Sequence, residues 1–168
     1  MEHLLVAAIE GRYGHRDRTL LLVMYRHGLR VSEAIGLRWE QLNLKAGLLA
    51  IRRLKRGVPS THPLRGPEWR ALRELQRDWP DSPYLFVSAR GGSMTASNVR
   101  KVVSRARLTA KLPFPIHPHM LRHAYGFKLA NEGVDTRSLQ HYLGHRNISH
   151  TVRYSALTLD RFKGFWKD

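Results

Sequence analysis

The stretch His117-Pro118-His119-Met120-Leu121-Arg122-His123-Ala124-Tyr125 decides how this chain of 168 residues is read. Pro118 sits where proline opens a helix, because its missing N–H is unpaired there in any case. The apolar spacing then runs to Gly133, a residue suited to the left-handed stop. His119 and Arg122 are three apart and share one face, while Leu121, Ala124 and Tyr125 can face a core. An imidazole and a guanidinium side by side near a helix N-terminus suit a phosphate, which receives charge-assisted donors and the favourable end of the helix dipole. Such pairs also arise by chance in basic helices, so the stretch needs support from the rest of the chain.

Working outward, the pattern predicts further helices over residues 4–9, 17–27, 67–79, 95–108, 136–143, 148–155 and 159–166. Gly28 and Gly144 are predicted stops, Ser32 an N-cap for a short helix ending near Gly36, and Asp135 with Thr136 another cap. Residues 47–64 change character: two β-rich runs flank Lys55-Arg56-Gly57, which reads as a β-hairpin with Gly57 in the turn. Residues 84–88 form a short strand candidate. Residues 112–118 hold three prolines and are expected to be extended. The expected fold is one mainly α domain carrying a small antiparallel β-sheet, an α+β arrangement, over residues 1–168.

Composition narrows the partner. Apolar residues make up 42%, enough to build a core. No run approaches the ~20 apolar residues of a membrane span. The N-terminus lacks the basic start and cleavage site of a signal peptide. Cysteine is absent, which excludes disulfides and thiolate metal sites. A cytoplasmic, nucleoid-associated protein is expected. Lys and Arg total 29 against 13 acidic residues, a net charge of +16. Residues 82–130 hold eight basic side chains and no acid. A surface this basic attracts polyanions, of which duplex DNA is the densest common one. Arg52, Arg53, Arg56, Arg100, Lys101, Arg105 and Arg107 are the expected DNA contacts.

Six residues sit at junctions between elements: Arg30, Lys55, His119, Arg122, His145 and Tyr154. Each alone has a bland reading, Tyr154 as a core aromatic and Arg30 as a surface ion pair. Together they make chemical sense. A tyrosine hydroxyl can attack a phosphodiester and form a covalent intermediate. Arginine and histidine donors stabilise the negative charge that gathers on the non-bridging oxygens. A lysine or histidine can protonate the departing 5′ oxygen. No metal is needed for that chemistry.

The sequence resembles the tyrosine recombinase (phage integrase) family. Gly28 to Ala34, followed by Leu37 and Trp39, looks like the family's first box. Ile51-Arg52-Arg53-Leu54-Lys55 resembles the hairpin that bears its lysine. His119-Met120-Leu121-Arg122-His123 is similar to its His-x-x-Arg box. Leu143-Gly144-His145 and Thr151-Val152-Arg153-Tyr154 are similar to its last two. Within the family the chain looks most like the fimbrial phase-switch recombinases, small members that invert a promoter segment. The stretches Tyr25 to Gly28, Thr61 to Leu64, and Arg161-Phe162 with Gly164-Phe165-Trp166 carry that likeness.

The resemblance implies the catalytic-domain fold of the DNA breaking-rejoining enzymes. It implies site-specific recombination of double-stranded DNA through a 3′-phosphotyrosine, independent of metal and ATP, with no cofactor. Tyr154 would be the nucleophile, Arg30 and Arg122 the phosphate clamp, and Lys55 the general acid. His119 would hydrogen-bond the phosphate and help move the tyrosine proton. His145 would hold a phosphate oxygen, and Glu33 would buttress the site. A homo-tetramer on DNA and accessory DNA-bending proteins are the implied partners. The separate N-terminal core-binding domain of typical members is expected to be absent. The apolar tail Leu157, Leu159, Phe162, Phe165 and Trp166 would pack on a neighbouring protomer, or equally on its own domain.

Three rivals stand beside this reading. The His119/His123 and His141/His145 spacings can chelate zinc, although no HExxH glutamate accompanies them. A non-catalytic DNA-binding module and a type IB topoisomerase are the others.

Overall fold

A computed structural model describes residues 1–54 and 57–156. Eight α-helices are present among them: α1 (Glu2–Ala8), α2 (Gly14–Arg26), α3 (Val31–Ile35), α4 (Gly66–Asp78), α5 (Ala96–Thr109), α6 (Pro118–Asn131), α7 (Thr136–Leu143) and α8 (Ser149–Ala156), with a short 3-10 helix at Trp39–Gln41. Three strands, β1 (Leu42–Asn43), β2 (Leu48–Ile51) and β3 (Ser60–Pro63), form one antiparallel sheet in that order. The mainly helical α+β architecture is therefore present as expected. Lys55, Arg56 and the tail from Leu157, with its predicted helix over residues 159–166, lie outside the described residues.

Helix α2 is the central element. Leu20, Leu21, Leu22, Val23 and Met24 are consecutive and all buried, so its second half is enclosed on every side, while its first half buries the Arg16–Asp17 ion pair. Each of those apolar side chains contributes about 1.5–3 kcal/mol of burial free energy. Helices α1, α4 and α6 pack directly on α2. A smaller cluster, Ala130, Leu139, Leu143 and Tyr154, joins α6, α7 and α8. Gly28 and Gly144 take the left-handed conformation (φ +55° and +66°) that ends α2 and α7.

Several boundaries differ from expectation for local reasons. Helix α2 begins at Gly14, earlier than residue 17. Helix α3 is capped by Arg30 rather than Ser32, because the Glu33 carboxylate reaches back and accepts from the Arg30 backbone N–H at 2.9 Å. The expected hairpin is present: Ile51 pairs with Ser60, and the Gly57 N–H donates to the Leu54 carbonyl at 3.3 Å, which puts Gly57 in the turn. Strand β1, only two residues long, was not anticipated. Residues 84–88 do not form a strand. They make only isolated bridges, Arg38 with Tyr84 and Val87 with Ser93, while Leu85, Phe86 and Val87 are all buried by packing.

Candidate active site

The β2–β3 loop, the start of α3, the start of α6, the end of α7 and the start of α8 meet around one cavity of about 870 Å³. Arg30, His119, Arg122 and His145 line it, as do Arg137, Arg146, His150 and Arg153. No acidic side chain is among its described lining residues. Four of the six junction residues are thus brought together. Tyr154 stands directly behind the wall, and Lys55 lies outside the described residues.

Arg122 is fully buried, which places a guanidinium among backbone carbonyls. Its Nη2 donates to the Leu143 carbonyl at 2.7 Å, and its Nη1 donates to the Gly28 carbonyl. Those two bonds tie α6 to the stops after α2 and α7. Burial, then the neighbouring Arg30 and Arg53 charges, lower its pKa to about 10, so it stays cationic at neutral pH. Arg30 is more exposed. Its Nη1 donates to Glu33 Oε1 at 2.8 Å. Burial alone would raise the Glu33 carboxyl, but hydrogen bonds from Arg30 and the charge of Arg53 outweigh it and hold the group below its ordinary value.

Arg53 corrects an expectation. The sequence places it among the DNA contacts, yet it is buried and both of its Nη groups donate inside the protein. Nη1 donates to Glu33 Oε2 at 3.0 Å and to the Gly28 carbonyl at 3.3 Å. Nη2 donates to the carbonyls of His27 at 3.1 Å and Tyr142 at 2.6 Å. Arg53 therefore pins the hairpin loop to the α2–α3 junction and to α7. Its neighbour Arg52 points outward, with a side chain 79% exposed.

The other cationic candidates sit on α5. Arg100 and Lys101 are exposed, and Arg107 is half-buried. Arg100, Ser104 and Arg107 share a groove with His117 at the start of α6. Arg105 is partly committed elsewhere, because it pairs with the fully buried Asp17 carboxylate, which also accepts from Arg16.

His145 is buried, and its Nδ1 is 2.8 Å from Thr151 Oγ1. Burial, then Arg122 and Arg30, press its pKa down to about 3. His119 is lowered by the same causes in the same order. The cavity therefore combines permanent arginine charge with neutral imidazoles that can donate one N–H each. That combination fits a phosphate group.

Tyr154 has no exposed surface. Its hydroxyl lies 2.8 Å from His123 Nδ1. Phe127 meets its ring edge-on at 5.0 Å, and His145 lies nearly parallel to it at 6.4 Å. A Cβ at Gly126 would come within 2.9 Å of the Tyr154 ring, so a glycine in α6 makes room for the phenol. Residues 1–161 match the phage integrase family model. The chain belongs to the phage integrase family.

These tyrosine recombinases cut and rejoin DNA at specific sites through a phosphotyrosine, and the chain is a site-specific DNA recombinase of this type. It is similar to the type 1 fimbriae regulatory protein FimE of Escherichia coli (strain K12), 40% identical over 173 residues, 99% of this chain and 87% of FimE. FimB of the same strain is 43% identical over 171 residues, covering 99% of this chain and 86% of FimB. The fold is similar to the crystal structure of XerA recombinase, with a TM-score of 0.83 at 23% identity. That match covers 98% of this chain and 60% of the XerA chain.

Sequence reasoning did not single out Arg137, Arg146, His150 and Arg153 as cavity residues. Arg146 and Arg153 adjoin His145 and Tyr154, and that adjacency was the available signal. Among the described residues no group of three or more His, Cys, Asp or Glu is placed to hold a metal ion. His119 and His123 meet edge to face with centroids 4.4 Å apart, a ring contact rather than a shared chelate. Among them no helix is long and apolar enough to cross a membrane.

Proposed function

We propose that the cavity receives the scissile phosphate of duplex DNA and that Tyr154 attacks it. Arg30 and Arg122 hold the two non-bridging oxygens, and His119 and His145 donate to the same group. As the Tyr154 Oη–P bond forms, the P–O5′ bond breaks, leaving a 3′-phosphotyrosine and a 5′ hydroxyl. Lys55 supplies the proton to the departing oxygen. Attack by a 5′ hydroxyl of another strand reverses the step and completes the exchange. The observation that carries this reading is the acid-free cavity in which both clamp arginines and both histidines converge, with Tyr154 behind its wall.

Arg52, Arg56, Arg100, Lys101 and Arg107 contact phosphates flanking the cleavage point, with Arg105 contributing its exposed half. Strand exchange proceeds in a homo-tetramer on DNA, assisted by DNA-bending proteins. Solved relatives with this fold include XerH bound to a difH substrate and a lambda integrase dimer bound to a core site.

A nicked suicide DNA substrate tests the reading, because loss of the short 5′ fragment traps the adduct. The chain should form a covalent protein–DNA band on a denaturing gel, unaffected by EDTA and missing in Tyr154→Phe. A band retained in Tyr154→Phe, or abolished by EDTA, overturns it.

A further inference from the structure

The resemblance gives His119 a share in moving the tyrosine proton. The contacts of the phenol point elsewhere. Tyr154 Oη lies 2.8 Å from His123 Nδ1, whereas His119 packs its ring against His123. Arg153 also turns its Nη2 toward the same His123 Nδ1, at 3.4 Å. A guanidinium carries only N–H donors. An Nδ1 facing it therefore presents a lone pair, with the ring proton on Nε2. The phenol O–H is then the closer donor to that lone pair, at 2.8 Å against 3.4 Å. The nucleophile's proton already points at a base.

Resting on the assignment of Tyr154 as nucleophile, we propose that His123 is the base that accepts the Tyr154 proton. As the Oη–P bond forms and the P–O5′ bond breaks, the proton passes from Oη to His123 Nδ1. The leaving 5′ oxygen takes a different proton, from Lys55. In rejoining, the 5′ hydroxyl gives its proton to the neutral Lys55 amine as it attacks phosphorus, Oη departs, and His123 returns its proton to the phenol. His123 is a catalytic residue in this account because it touches a reacting atom.

The surroundings couple this base to substrate. Around His123 stand His119 and Arg122 from α6 and Arg153 and Tyr154 from α8. Burial, then His119, Arg153 and Arg122, lower its pKa to about 4, so the imidazole is neutral at neutral pH. A phosphate seated on Arg122 and Arg153 offsets their charge and raises the basicity of the ring. The base strengthens when its substrate is in place.

Two suicide substrates separate this role from the others: one with the ordinary 5′ oxygen, the other with sulfur at the bridging 5′ position. A thiolate leaves without a proton, so Lys55→Ala should be slow only on the oxygen substrate. His123→Gln should be slower by about 10²–10⁴-fold on both, with DNA affinity within about twofold of the parent. Added imidazole should restore His123→Ala saturably and should not restore Tyr154→Phe. Adduct formation by His123→Gln at the parent rate, or by a DNA-binding His123→Ala that imidazole leaves slow, overturns the proposal. Nitrogen-15 NMR of the parent chain serves even where those variants do not fold. It should show His123 Nδ1 unprotonated and its resonance displaced in Tyr154→Phe. A protonated Nδ1 overturns the proposal. Failure of the parent itself to form an adduct overturns instead the nucleophile assignment on which it rests.

Discussion

Arg52 and Arg53 illustrate how much one position matters. The two look interchangeable in the sequence, and both were read as DNA contacts. The alternation of β2, with Leu49 and Ile51 inward and Ala50 outward, continues past the last paired residue and turns Arg53 inward and Arg52 outward. The inward residue completes a lattice of carbonyls and the Glu33 carboxylate that spans three distant segments. No local pattern announces such contacts. Arg53→Ala leaves the buried Glu33 with Arg30 as its remaining partner and deprives the Gly28, His27 and Tyr142 carbonyls of a donor, which should cost about 1–3 kcal/mol, read as a lowered urea midpoint. Arg53→Lys should not recover it, because one ammonium cannot serve carbonyls on two sides. Arg52→Ala should leave the midpoint unchanged and weaken DNA binding only.

Gly126 belongs to the same scale. It lies in the interior of α6. The structure shows a ring pressed against it, and a methyl group there would displace that ring. Gly126→Ala should raise intrinsic helix propensity yet lower stability by about 1–3 kcal/mol, because overpacking outweighs propensity. Covalent capture by Tyr154 should slow with it. An unchanged capture rate would show that the phenol tolerates displacement.

Among the elements, α6 was the most legible, since Pro118, the i,i+3 pair and Gly133 all signal it locally. The two-residue β1 was too short to signal at all. Residues 84–88 misled because a run of buried apolar residues looks the same whether it pairs in a ladder or simply packs. The hairpin hides a further device. His62 on β3 and His27 after α2 meet Nδ1 to Nδ1 at 3.1 Å, and both are buried. Two nitrogens that close can share only one proton between them. Burial, followed by neighbouring positive charge, lowers each histidine from 6.5 to about 3. A depressed base binds protons in the unfolded chain first, so stability should be full above pH ~6.5 and fall as pH drops toward 3. Glu68 beside His27 has a carboxyl raised by burial and opposes this only near its own titration. The urea midpoint followed from pH 7.5 to 4 should decline. His62→Gln should flatten that decline, and an equal slope in the variant would contradict the assignment.

For the whole molecule, net charge was the most readable property and the site's convergence the least. The order of boxes along the chain implied that Arg30, His119, Arg122 and His145 gather. The reason they gather is the mutual packing of α2, α6, α7 and α8, which no window of sequence contains. Charge makes its own prediction. The logarithm of DNA affinity should fall linearly with the logarithm of salt concentration. Arg100→Ala and Arg107→Ala should each reduce that slope by about one. Arg105→Ala should change it less, because part of that guanidinium is held by Asp17. Equal effects from all three would mean that Arg105 leaves Asp17 to bind DNA.

The central claim concerns one covalent bond, and mass spectrometry of the trapped adduct examines it directly. After nuclease and protease digestion, a single peptide should carry a nucleotide, joined through its 3′ phosphate to Tyr154. A nucleotide attached to any other side chain, or linked through a 5′ phosphate, would contradict the account.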